Sequence, residues 1–116
     1  MSVRRVAPDL YAADPAAAAR FYADVLGFNV VMDLGWVATV ASPENPTAQI
    51  ILMSEDASAP VRPALSVEVD DVDAAYAAVQ RQGAEIVHPL TDEPWGVRRF
   101  FVRDPDGNVV NVLSHI

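Results

Sequence analysis

The stretch DPAAAARFYADVLGF, residues 14–28, decides the fold of this chain. Asp14 suits the N-cap of a helix, and Pro15 suits the first helical position, because a proline there loses no hydrogen bond. Good helix formers follow, and Gly27 is the residue type that commonly ends a helix in the left-handed conformation. The stretch therefore predicts a capped helix that runs directly into a strand at Phe28.

A second stretch repeats this plan later in the chain. Asp70 is predicted to cap a helix over 71–82, and Gly83 is predicted to end it. The same thirteen-residue spacing separates the aspartate and the glycine in both stretches. Alternating apolar residues and turn signals predict four strands in each half. These strands are 3–12, 28–33, 36–41 and 48–53 in the first half, and 64–69, 84–87, 97–103 and 108–114 in the second.

The acidic segment 55–62, which contains Pro60, is predicted to link the two halves. The halves are then a module over 1–54 and a module over 63–116, each with the order strand, helix and three strands. Modules of about 55 residues are too small to be stable alone. We therefore expect them to share one core within a single domain.

Composition excludes several classes of function. The chain has no cysteine and no lysine, which removes disulfides, thiolate sites, Schiff-base chemistry and a P-loop lysine. Its formal charge is −8, so nucleic acid is not an expected partner, whereas a cationic ligand suits the charge. No apolar run is long enough to cross a membrane, and we expect a soluble, cytoplasmic protein.

Four separated motifs carry a resemblance to a known family. The segment FYADVLGF (21–28) resembles the helix-to-strand signature of the glyoxalase/bleomycin-resistance/dioxygenase family, also called the vicinal oxygen chelate superfamily. The segments VDDV (69–72), PWGVR (94–98) and DPDGN (104–108) are similar to its later motifs, in the same order. The resemblance covers essentially the whole chain. It implies an α+β fold, in which two tandem βαβββ modules form a curved eight-stranded mixed sheet around a cavity, with the helices outside, and it implies a homodimer.

The resemblance also locates the positions of the family's metal ligands. In the metal enzymes of the family, four inward side chains bind a divalent ion. By motif, these positions are here Ala7, Ile51 (or Gln49 if the register differs by two), Ala64 and Asn111. Alanine and isoleucine cannot bind a metal, and an amide is a poor ligand for one. We therefore expect no metal and no other cofactor, and the resemblance then implies the branch that binds and sequesters bleomycin-type or other bulky antibiotics.

Strand alternation predicts which side chains face the cavity and contact a ligand. Each tryptophan has two interpretations. Its ring forms a wall that stacks on an aromatic or cationic ligand, or it packs a loop onto the sheet. Asn111 is interpreted as a ligand contact or a satisfied buried amide. Of Arg98 and Arg99, one should point inward, to bind a carboxylate or to pair with a neighbouring acid. The candidate ligand-binding residues are Trp36, Gln49, Ile51, Ser66, Trp95, Arg98 and Asn111.

The leading hypothesis is metal-independent sequestration of a bulky, cationic or aromatic small molecule in a groove formed by both subunits of a homodimer. An alternative is an enzyme of the lyase or isomerase type that uses Asp9 and Glu68 as acid/base groups, with burial raising the pKa of Glu68. His88 is a more distant acid/base candidate, because we expect it in a loop, and His115 lies near the end of the sequence. A third hypothesis is a metal held by Asp9, Glu68 and a histidine.

Overall fold

The computed structural model describes residues 1–116, which form two compact units. The N-terminal unit contains residues 7–62, and the C-terminal unit contains residues 1–6 and 63–116. Strand, helix and three strands follow one another twice, as the sequence predicts. The elements are β1 (Val3–Tyr11), α1 (Pro15–Leu26), β2 (Asn29–Asp33), β3 (Val37–Ala41), β4 (Gln49–Met53), β5 (Leu65–Val69), α2 (Val72–Gln82), β6 (Ile86–Glu93), β7 (Val97–Arg103) and β8 (Val109–His115).

The strands of each unit have a mixed arrangement. In the N-terminal unit the hydrogen-bonded order is β2-β3-β4-β1, and in the C-terminal unit it is β1-β5-β8-β7-β6. The pairs β1–β4 and β5–β8 are parallel, whereas β2–β3, β3–β4, β6–β7 and β7–β8 are antiparallel. Because β1 contributes to both units, the eight strands follow one another in a single mixed sheet. The predicted α+β class and the predicted strand count are confirmed.

Each helix packs on the sheet of its own unit. The core beneath α1 centres on Ala19, Val40 and Leu52, and the core beneath α2 centres on Val69 and Phe100. Residues on the same strands with the opposite parity face away from the helices. Neither helix is both long and apolar enough to span a bilayer. Because the helices cover the other faces, the faces opposite the helices are where the polar candidate residues have to be sought.

Local signals explain the helix ends, with one correction. The Asp14 carboxylate accepts from the backbone N–H of Ala17 at 3.2 Å, as predicted for α1. In α2, however, the N-cap is Asp71, whose carboxylate accepts from the Ala74 N–H at 3.0 Å. The predicted cap, Asp70, instead accepts from the backbone N–H of Ser2 at 2.7 Å. The helix therefore starts one residue later than the sequence indicated.

The largest difference from the predicted elements is β6. The sequence predicts a short strand over 84–87, but β6 extends from Ile86 to Glu93 and includes Pro89. The register with β7 shifts between His88 and Thr91, where a proline can be accommodated because the regular ladder is interrupted. The prediction that His88 lies in a loop is wrong, since His88 is a buried strand residue. This extension of β6 brings two polar side chains into the C-terminal unit's interior.

Candidate functional site

Apart from Arg98, the polar candidate residues of the C-terminal unit lie on the face opposite α2, which we call the polar face. Strand pairing aligns its members, because Ser66 is the partner of Asn111 and Asn111 is the partner of Phe101. Phe101 is in turn the partner of His88 on β6. Five polar members of this face are at least nine-tenths buried: Ser66, His88, Glu93, Arg99 and Asn111.

Asn111 and Ser66 form a hydrogen-bonded pair across β5 and β8. The amide Nδ2 of Asn111 donates to the hydroxyl Oγ of Ser66 at 3.0 Å. The carbonyl Oδ1 of Asn111 is buried and accepts no hydrogen bond. A buried carbonyl without a donor lacks the compensation that almost all such groups have. This oxygen is therefore suited to accept a hydrogen bond from an N–H or O–H group of a ligand.

Arg99 and Glu93 form a buried ion pair beside two aromatic rings. The guanidinium Nη2 of Arg99 lies 2.5 Å from Oε2 of Glu93, and both side chains are 4% exposed. The guanidinium carbon is 4.8 Å from the ring centre of Trp95 and 4.9 Å from that of Phe101. Nε2 of His88 is 3.8 Å from the same Glu93 oxygen. Trp95 thus contacts an arginine of its own chain.

The two adjacent arginines of β7 face opposite sides of the sheet, as alternation predicts, and the inward one is Arg99 rather than Arg98. Arg98 lies on the α2 side, where it donates to Asp73 and Asp92 at 2.9 Å each. Hydrogen bonds from Arg98 lower the pKa of Asp73. The same contacts, with Asp73 first and Asp92 second, raise the pKa of Arg98. We therefore replace Arg98 by Arg99 as the arginine of the candidate site.

Glu68 lies between two basic side chains. Its Oε1 accepts from Nε of Arg5 at 2.9 Å, and its Oε2 is 3.2 Å from Nδ1 of His115. Burial alone raises the pKa of Glu68, but the hydrogen bonds and charges of Arg5 and His115 outweigh burial and lower it overall. The expectation that burial would raise this pKa is therefore wrong. An ionised, paired carboxylate is a poor general acid near neutral pH.

The N-terminal unit carries the other candidate residues. Ile51 is the strand partner of Asp9 and of Thr39, and Asp9 and Thr39 are both buried. Gln49 has the same parity as Ile51, so both side chains lie on the face opposite α1, as predicted. The Gln49 side chain donates to the backbone carbonyl of Pro46 at 2.8 Å. Of the two positions considered for a metal ligand, position 51 is therefore apolar, and the side chain at position 49 is bonded to the loop before β4.

Trp36 lies just before β3 and is half-buried. Its backbone carbonyl accepts from the N–H of Ser54 at 2.9 Å, which joins the start of β3 to the end of β4. This contact agrees with a structural role for the backbone at this position. The role of the indole ring toward a ligand stays a prediction.

The sequence pattern alone did not single out Glu93, and it placed His88 outside the site. Both omissions have one cause. Pro89 is atypical of the interior of a long strand, so the sequence did not predict that β6 includes His88 and continues to Glu93. A signal was nevertheless present in the segment EPWGV, residues 93–97. A tight turn at Pro94–Gly96 pairs Glu93 with Val97. Alternation along β7 then places Arg99 on the same face as Val97, within reach of Glu93.

Comparison with known proteins identifies the family. The chain matches the Glyoxalase/Bleomycin resistance protein/Dioxygenase superfamily over residues 3–112. It therefore belongs to this superfamily, as its motifs indicated. No curated protein sequence matches the chain.

Several solved structures share the fold. An uncharacterised protein from Methanosarcina mazei is 27% identical, with a TM-score of 0.69, and the alignment covers 100% of this chain and 95% of that one. A superfamily member from Vibrio splendidus is 21% identical, with a TM-score of 0.69 and coverage of 97% and 99%. Methylmalonyl-CoA epimerase from Mycobacterium tuberculosis is 23% identical, with a TM-score of 0.73 and coverage of 98% and 87%. At these identities the last two similarities concern the fold alone.

The residues at the family's metal positions do not fit a divalent ion. Ala7, Ile51 and Ala64 offer no side-chain ligand atom, and Asn111 offers one amide oxygen. The structure also contains no group of three or more His, Asp or Glu side chains that could hold a metal. The alternative set of Asp9, Glu68 and a histidine thus finds no support in the geometry. We derive no chemistry through a metal for this chain.

Proposed function

We propose that this chain is a metal-independent binding protein that sequesters a bulky, cationic or aromatic small molecule as a homodimer. The observation that carries the proposal is the buried, unbonded carbonyl of Asn111, at a position where the family's metal enzymes have a ligand. A carbonyl in place of a carboxylate or imidazole can orient an organic N–H group, but it cannot assemble a metal site alone.

The chain's charge and the aromatic groups support the same class of ligand. The formal charge of −8 favours the approach of a cation over long range. Trp95 extends the polar face with an aromatic ring beside Arg99. Apolar area with a few oriented polar groups is the usual composition of a small-molecule site.

An acid/base enzyme is the other candidate function, and the fold accommodates enzymes such as methylmalonyl-CoA epimerase. Its first candidate residue, Glu68, is held ionised by Arg5 and His115, with its pKa lowered. Its second, Asp9, is buried and also has a polar or charged contact within the protein. These contacts favour binding over proton transfer, so we place sequestration first.

The experiment is a calorimetric titration of the protein with bleomycin, repeated with two variants. We expect saturable binding to the native chain and about tenfold weaker binding to Asn111→Leu, which loses one hydrogen-bond acceptor. The matched control is Ser66→Ala, which removes the partner of the Asn111 amide but leaves the carbonyl in place, and which should change the affinity less. Absence of binding to the native chain, or equal affinity of Asn111→Leu, would overturn the proposal.

A further inference from the structure

The polar face holds one hydrogen-bond acceptor whose surroundings indicate which kind of ligand group it takes. Oδ1 of Asn111 is buried and accepts no hydrogen bond, while the amide nitrogen of the same side chain donates to Ser66 at 3.0 Å. The bond to Ser66 fixes the direction in which the carbonyl points. A ligand group that bonds to Oδ1 is therefore a donor, but hydrogen bonding alone does not decide whether this donor is charged or neutral.

The carboxylates of the polar face are already neutralised by arginines. Glu68 accepts from Nε of Arg5 at 2.9 Å, and its other oxygen lies 3.2 Å from Nδ1 of His115. Glu93 is paired with Arg99 at 2.5 Å, and both of these side chains are 4% exposed. Each negative charge thus has a positive partner, and the face holds no spare negative charge. A cation bound here would lose its water without gaining a counter-charge, which is costly.

Two aromatic rings of this face are engaged by a cation of the chain itself. The guanidinium carbon of Arg99 lies 4.8 Å from the ring centre of Trp95 and 4.9 Å from that of Phe101. Ring faces of this kind are where proteins usually attract a ligand cation. Phe101 is also the strand partner of Asn111. A ligand cation bound to Asn111 would therefore lie close to the guanidinium and be repelled by it.

We propose that the polar face binds a neutral hydrogen-bond donor, such as a carboxamide, lactam or hydroxyl group, in preference to a cationic one. The donor bonds to Oδ1 of Asn111, and the balanced ion pairs of the face disfavour a positive charge beside it. This inference rests on the proposed function, because it names the ligand group that the same site takes. The formal charge of −8 acts on the approach of the whole molecule, so a charged part of the ligand lies outside this face.

Benzamide and benzamidine test this inference, because the two molecules have nearly the same shape and both donate through an N–H group. Benzamide is neutral, whereas benzamidine is a cation near neutral pH. Each is titrated into the isotope-labelled protein and followed by NMR at the backbone amides of Ser66 and Asn111. Benzamide should bind about tenfold or more tightly than benzamidine. The opposite preference, equal affinities, or no shift at either amide up to about 10 mM of both probes would overturn the inference.

The variant Asn111→Asp supplies the missing negative charge with almost no change of shape. The Ser66 hydroxyl can rotate to donate to the new carboxylate, so the side chain keeps a partner. The preference should reverse in this variant, with benzamidine binding about tenfold or more tightly than benzamide. The matched control is Asn45→Asp, which makes the same change at an exposed loop position of the N-terminal unit and should keep the native preference. Circular dichroism checks that each variant is folded.

The variant Asn111→Leu tests the same point without a buried charge. It removes the acceptor and should abolish the preference for benzamide, and a preference that persists would overturn the role assigned to the Asn111 carbonyl. The titration with bleomycin separates this inference from the proposed function. Binding of bleomycin together with a preference for benzamidine would overturn only this inference, whereas a preference for benzamide without binding of bleomycin would overturn only the sequestration of that antibiotic.

Discussion

Arg98 and Arg99 are adjacent in β7, and strand alternation gives them different environments. Arg98 reaches α2 and forms ion pairs with carboxylates that are 60% and 65% exposed. Arg99 faces the opposite side and pairs with Glu93, at 4% exposure for both side chains. Exposed pairs contribute little to stability, whereas removing one partner of a buried pair leaves an uncompensated charge. Two residues of one type therefore have very different consequences when they are changed.

We expect Arg99→Met to destabilise the protein by about 3–5 kcal/mol, because the Glu93 carboxylate would remain buried without its partner. The measurement is the free energy of unfolding in urea. Arg98→Met serves as the control at the adjacent position and should have a much smaller effect. A loss for Arg99→Met no greater than that of the control would show that the buried pair is not important for stability.

Glu68 gives a prediction for the pH dependence of stability. Its pKa is lowered in the folded protein relative to its ordinary value of 4.5. A group with a depressed folded-state pKa stabilises the fold above its unfolded-state pKa, and this contribution is lost as the pH falls through the folded-state pKa. We expect Glu68→Gln to be less stable than the native chain at neutral pH, and the difference to shrink at acidic pH below about 4.5.

The measurement is the free energy of unfolding of both proteins across this pH range. The control is Glu85→Gln, which removes a carboxylate that is 64% exposed and pairs with Arg103. The difference for the control should vary little with pH. A Glu68→Gln difference that is independent of pH would contradict the role assigned to Arg5 and His115.

At the scale of elements, the sequence predicted helices better than strands. Both left-handed glycines and the cap at Asp14 were identified from residue type alone, because these signals are local. The extent of β6 was not, since its pairing through Pro89 depends on β7, which lies further along the chain. The pair of Glu93 and Arg99 followed from that pairing and was missed for the same reason. Local signals thus predicted the fold, whereas the polar face required knowledge of strand register.

The end of α1 gives a prediction that depends on backbone conformation alone. Gly27 has φ of +76°, and a Cβ built at this position would meet no atom within 4 Å. Gly27→Ala should therefore destabilise the protein by about 1 kcal/mol, through the cost of the left-handed conformation rather than through a clash. Gly27→Asn should cost less, because asparagine adopts this conformation more readily. Equal thermal midpoints for the two variants would contradict this explanation.

At the scale of the whole molecule, the chain combines a family fold with positions that do not suit the family's metal. We expect added Mn²⁺, Ni²⁺ or Zn²⁺ to leave the thermal midpoint of the native chain unchanged, because a ligand stabilises only the states that bind it. A stoichiometric, metal-dependent shift in the native chain would contradict the poor fit of these residues to a divalent ion.

The division of β1 between the two units has a consequence for folding during synthesis. The backbone N–H of Ser2 and the side chain of Arg5 bond to Asp70 and Glu68, which lie 68 and 63 residues further along. The ribosome therefore completes residues 7–62, which contain every strand of the N-terminal unit, before it makes the partners of residues 1–6. Residues 1–6 are synthesised before residues 7–62 but find their contacts after them, so the nascent chain carries an unpaired strand end until residues 63–116 have been translated.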